Sequence, residues 1–134
     1  MGIELLTAGA RAIFEPSWGG RLHQLFFEVD GGDEPLLLAP DDPADYVRNP
    51  LLGGCYPMAP WPNRVRNGRF EWRGREYQLR NRREHALHGL VLDQSWTVVA
   101  RVGRVLEMTC PLGAGWPWEG SCWQRFELGA GFLA

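Results

Sequence analysis

Apolar and polar residues alternate with a period of two along most of this chain, in short runs cut by glycine and proline. Ile3 to Thr7 and Arg11 to Phe14 read as strands about Ala8-Gly9-Ala10, and Gly19-Gly20 turns the chain into a longer, half-buried strand over Arg21 to Val29. Asp30-Gly31-Gly32-Asp33 is a hairpin signal and Pro35 to Ala39 its returning strand, so the pattern predicts an antiparallel meander. Pro40 to Pro50 is rich in proline and aspartate and predicts a surface loop with one helical turn at Ala44 to Arg48. Phe70 to Arg73 and Arg75 to Leu79 form a hairpin through Gly74, with Phe70, Trp72, Tyr77 and Leu79 on a core face. Trp96 to Val102 and Arg104 to Cys110 form another about Gly103, with Trp96, Val98, Ala100 and Val102 in phase and Leu106, Met108 and Cys110 in phase. Gly113 to Gly120 is a tight aromatic loop and Ser121 to Leu128 a last strand. No extended window keeps a helical period, and 17 Gly and 10 Pro fall at turn spacings, so the pattern predicts an all-β sandwich or barrel, without repeat or linker.

Composition narrows the partners. The 134 residues carry a formal net charge of -2, and all 14 basic residues are Arg; no basic stripe is available to displace counterions, which argues against nucleic acid. No apolar segment approaches bilayer length and Met1 to Leu6 has no basic leader, so the expectation is a cytoplasmic protein without a membrane partner. Cys55, Cys110 and Cys122 lack C-x-x-C spacing and read as reduced, mostly packed thiols.

The candidate chemistry concentrates between Gly53 and Gly89. Pro57, Pro60 and Pro62 fix φ and exclude both helix and central strand, leaving a stiff loop of the kind that presents binding groups. Taken alone, Asn63 caps a turn, Arg64 pairs with an acid, and His88 is a turn or core histidine. His85 and His88 lack a third ligand for a metal site, and their spacing in extended chain sends them to opposite faces. His23, mid-strand, reads as structural; Cys55 reads as a buried small residue and not as the nucleophile of a Cys55-His88 pair. Arg80 to Glu84 is the most basic local run and reads as a solvated loop, although an Arg cluster also suits a sugar phosphate.

The order of the pieces adds more. Gly53-Gly54, Pro62-Asn63-Arg64-Val65, Gly68-Arg69-Phe70, Gly74, Tyr77-Gln78-Leu79, Leu87-His88-Gly89 and Trp96 together resemble the aldose 1-epimerase (galactose mutarotase) family. The resemblance implies the antiparallel galactose mutarotase-like β-sandwich, or supersandwich, with residues 1–134 as the N-terminal part of one domain. It implies interconversion of the α and β anomers of a free hexose by general acid and base, without metal or organic cofactor. It places Asn63 and Arg64 against the sugar and gives His88 a substrate-binding and catalytic role; Gly115-Trp116-Pro117 resembles the family's Gly-aromatic-Pro loop, and Trp116 and Trp118 either stack on sugar or pack. The family's second histidine and late glutamate have no counterpart here, so the expectation is a truncated chain, inactive alone, prone to homo-oligomerise through open sheet edges. Two alternatives stay open: a hexose-phosphate mutarotase with Arg73, Arg75, Arg82 or Arg83 at the phosphate, and a non-catalytic carbohydrate-binding module on the same fold.

Overall fold

The structure is a computed structural model that describes residues 2–80 and 84–134. It opens with the expected meander: β1 (Ile3–Thr7), β2 (Ala10–Glu15), a 3-10 turn at Pro16–Trp18, β3 (Arg21–Val29) and β4 (Gly32–Pro35), hydrogen-bonded antiparallel in that order. A helical turn, α1 (Asp45–Arg48), follows. The middle of the chain gives two small ladders. β5 (Arg64–Val65) pairs with β8 (Ala86–Leu87), and β6 (Arg69–Trp72) pairs with β7 (Arg75–Gln78). The last third is an antiparallel sheet of β9 (Thr97–Val102), β10 (Val105–Pro111) and β11 (Ser121–Glu127), with β10 central.

The two larger sheets share one core, which makes the fold a sandwich. Leu5, Ala12 and Phe14 of the first sheet belong to the same buried cluster as Leu106, Met108 and Cys110 of β10. The rings of Phe14 and Phe126 lie 4.6 Å apart across it. Every second residue of β10 is fully covered, as its alternation predicts.

Several expectations need correction. The returning strand is Gly32–Pro35 and not Pro35 to Ala39, because Asp30 and Gly31 (φ 51 and 82) close a tight two-residue turn and pairing begins at once. Beyond Pro35 one more backbone bond, from the Leu36 amide to the Leu25 carbonyl (2.9 Å), gives way to a side chain: Gln24 donates to the Leu37 carbonyl (2.6 Å) and accepts from the Leu37 amide (2.9 Å). Trp72 is 53% exposed, so only Phe70 and Tyr77 of its hairpin face inward with Leu79. A register shift between Glu107 and Met108 opposes an extra residue of β9, which breaks the phase of Trp96, Val98, Ala100 and Val102; Trp96 is buried and Val102 exposed. Cys55 is exposed, not buried: its backbone bridges Leu22 in both directions (2.9 and 2.8 Å) at the surface of the central loop.

Candidate functional site

The β5–β8 ladder brings the two halves of the central stretch together. Arg64 faces Leu87 and Val65 faces Ala86. At one end, the His88 amide donates to the Asn63 carbonyl (2.9 Å) and the Asn63 amide donates to His88 Nδ1 (3.0 Å). Because that ring nitrogen accepts, a neutral His88 carries its proton on Nε2. Asn63 and His88 both hold left-handed backbone, φ 54 and 57, so neither continues the strand it flanks. Gly89 follows for a steric reason. A Cβ there would collide with the Ala59 backbone, whose carbonyl accepts from the Leu90 amide at 2.7 Å.

At the other end of the ladder stands a histidine that sequence reasoning set aside. The Asn67 amide donates to His85 Nδ1 (3.2 Å) from a turn where Asn67 has φ 53. His85, Arg64, Leu87 and Glu84 line an open cleft of about 800 Å³ together with Arg48, Asn49, Pro50 and Leu51. Arg64 thus borders the cleft, and its Nη1 donates to Asn63 Oδ1 at 3.4 Å. His88 and Asn63 are not among the lining residues; the His88 ring lies 6.3 Å from that of Tyr56.

Beneath this arrangement sits Arg21, 1% exposed. It donates to the carbonyls of Trp18, Gly53, Pro50 and Leu92, and its guanidinium stacks 3.8 Å from the Tyr46 ring. One cation thus ties the cleft wall at Pro50 and the Gly53 turn to the segment after His88. Burial pulls the Arg21 pKa below its usual range, an effect that the neighbouring Tyr46 and Tyr56 oppose. His23 Nδ1 meets the Tyr46 hydroxyl (2.9 Å), and burial, then the Arg21 charge, lowers the His23 pKa. Burial raises that of Tyr46.

An aromatic cluster braces the approach to Asn63. Trp61 stacks with Trp116 at 5.9 Å, and Phe70 stacks with both Trp116 (6.1 Å) and Tyr77 (5.3 Å). Trp118 closes on Tyr77 at 5.2 Å and is 40% exposed. Trp116 and Trp118 are thus in ring-to-ring contact (5.2 Å) and pack with the loop before Asn63.

The remaining candidates divide plainly. Arg73 and Arg75 lie over the Trp72 and Tyr77 rings near the tip of the β6–β7 hairpin and do not line the cleft, while Arg82 and Arg83 lie outside the described residues. Of the basic run, Arg80 pairs with Asp93 at 2.8 Å. Among the described residues, no three His, Cys, Asp or Glu side chains converge as metal ligands. Cys110 and Cys122 face each other across β10 and β11; burial, then Cys122 and Asp93, pushes the Cys110 thiol up to about 11, which keeps it protonated. Among the described residues, no helix is long and apolar enough to cross a membrane. Arg48, His85 and Arg21 were not legible as site residues: the partners of Arg21 and His85 are set by tertiary contact, and Arg48 pairs locally with Asp45 while lining a cleft that only the fold forms.

Comparison with known proteins bears on the family and the fold. Residues 3–132 match the aldose 1-epimerase family. The chain is 53% identical over 38 residues to the uncharacterized protein YphB of Escherichia coli K12, covering 26% of this chain and 13% of that protein. It superposes on a putative aldose 1-epimerase from E. coli K12 with a TM-score of 0.81 and 26% identity, over 99% of this chain and 43% of that one. A GalM/aldose epimerase homologue from C. elegans gives 0.80 and 21%, over 96% and 42%. The chain therefore spans less than half the length of these solved relatives, and its fold is that of the galactose mutarotase-like proteins.

Proposed function

Because the chain belongs to the aldose 1-epimerase family, we propose that it contributes the Asn63, Arg64 and His88 portion of a site that interconverts the anomers of a free hexose. The observation that carries this reading is the reciprocal pairing of Asn63 and His88, which joins residues from the two ends of the central stretch beside Arg64.

Anomer exchange opens the sugar ring and recloses it. One group protonates the ring oxygen while another takes the proton from the anomeric hydroxyl, so an acid and a base flank one sugar. In this reading Arg64 offers a planar fork of donors to hydroxyl oxygens and orients the ring. The Asn63 amide fixes the His88 tautomer, so His88 offers a proton from Nε2 and takes one back in the reverse direction. The proposal assigns this half of the proton exchange to the chain, and the activity of a whole protein containing it is part of the proposal. Such a protein is an isomerase that needs no cofactor, and cytoplasmic placement belongs to the same proposal.

Titration of this chain with D-galactose and D-glucose, followed by calorimetry, tests the assignment. Arg64→Ala is expected to weaken binding about ten- to a hundredfold, the worth of hydrogen bonds from a charged donor; His88→Ala is expected to weaken it less. Wild-type affinity in both variants overturns the site. Binding only of the 6-phosphates would move the substrate class to hexose phosphates, a reading that two arginines in the lining of the cleft, Arg48 and Arg64, favour.

A further inference from the structure

We infer that His85 is a further sugar-contacting residue, donating a hydrogen bond from Nε2 into the cleft that Arg64 lines. The inference deepens the proposed function and rests on its placing of Arg64 against the sugar, the cleft that Arg64 lines being an extension of that site beyond Asn63 and His88.

The register of the small ladder supplies the first argument. Residues directly opposite in an antiparallel pair project to the same side, and neighbours along a strand to opposite sides. Arg64 and Leu87 are opposite one another, and both line the cleft. Val65 and Ala86 are the other pair, and Ala86 is completely buried, so that side faces the interior. Alternation from Leu87 returns His85 to the cleft side, where the lining places it. The same alternation puts His88, next to Leu87, on the side away from the cleft, and it is not among the lining residues. The chain thus spends its two neighbouring histidines differently.

The second argument is the tautomer. Nδ1 of His85 accepts from the Asn67 amide, so the neutral ring holds its proton on Nε2 as a donor. A donor rigidly held by the backbone costs little entropy when a ligand binds, which is the property a positioned sugar contact needs. The third argument is the composition of the lining. Among the described residues, the lining side chains that can donate are Arg48, Asn49, Arg64 and His85, with Glu84 as the acid. A sugar hydroxyl both donates and accepts, so an imidazole N–H beside the Arg64 guanidinium offers a separately placed donor to adjacent ring hydroxyls.

The test uses the full chain labelled with 15N, with long-range imidazole spectra recorded during titration with D-galactose and D-glucose. The expected result is an Nε2–H tautomer for His85 and a saturable shift of its Nε2 signal in parallel with the Arg64 Nε signal. Replacement His85→Gln, which keeps a polar donor, is expected to retain affinity within about threefold, whereas His85→Leu loses about five- to tenfold, the worth of one neutral hydrogen bond. A sugar-dependent shift at Arg64 without one at His85, wild-type affinity in His85→Leu, or an Nδ1–H tautomer overturns the inference and leaves the proposed function standing. Absence of any sugar-dependent shift at Arg64, His85 and His88 overturns both. Should His85→Leu fail to fold, the wild-type spectra decide alone.

Discussion

His23 shows how much a single side chain's setting depends on residues the sequence does not place beside it. Its position within β3 reads as structural, and the structure agrees, but its partners are Tyr46 of α1 and the buried Arg21 two residues away. Arg21 itself carried no signal, since the carbonyls it holds lie as far off as Leu92. With the folded His23 pKa below the ordinary imidazole value of about 6.5, the unfolded chain takes up a proton that the folded one refuses. Stability from this group is complete above that value and is lost as pH falls through it, levelling off below the folded pKa. Glu15 works the other way: burial raises its pKa, so its contribution fades as pH rises above about 4.5. His23→Gln keeps an acceptor for the Tyr46 hydroxyl without titrating. Urea unfolding midpoints are expected to depend less on pH just below 6.5 in that variant than in the wild type; identical profiles would remove His23 as the source.

At the scale of elements, hairpins were legible and long-range ladders were not. The β6–β7 and β9–β10 hairpins fall within a residue or two of the expected bounds, because Arg73 and Gly74 (φ 52 and 72) and Gly103 (φ 55) make the turns that the sequence announces. The β5–β8 ladder has only Arg64–Val65 and Ala86–Leu87, too short for a period, and its strands meet across the whole β6–β7 hairpin. The resemblance pointed to Asn63, Arg64 and His88 but not to the hydrogen bonds that join them. The aromatic loop was ambiguous in sequence, since Trp116 and Trp118 suit either sugar stacking or packing; the stack of Trp116 on Trp61 and Phe70 makes Trp116 a brace for the loop leading to Asn63. Trp116→Ala is expected to cost about 2–3 kcal/mol in urea unfolding, below the full core value because the residue is half-buried. The exposed Trp72→Ala is expected to cost under about 0.5 kcal/mol. Equal costs would mean that the cluster is not the brace described.

For the whole molecule, the decisive fact is that a formed core lies beneath a surface with large apolar groups and open sheet edges. One cluster joins both sheets and the chain superposes on 99% of its own length, yet it spans 43% of the solved E. coli relative. Large apolar groups remain at the surface, among them Leu38 at 84%, Val102 at 73% and Trp123 at 58% exposure. β9 and β11 are both edges of their three-stranded sheet, so rows of backbone donors and acceptors lie beside that apolar surface. Unpaired edges next to exposed apolar side chains favour pairing with another strand, whether from a second copy or from further chain. We expect concentration-dependent self-association of these 134 residues in sedimentation velocity. Trp123→Lys places a charge on the β11 edge and is expected to shift the distribution toward monomer, as edge charges do in natural sheets. A wild-type chain that sediments as monomer at every concentration would show that the exposed edges are already protected, and would overturn the expectation of homo-oligomers.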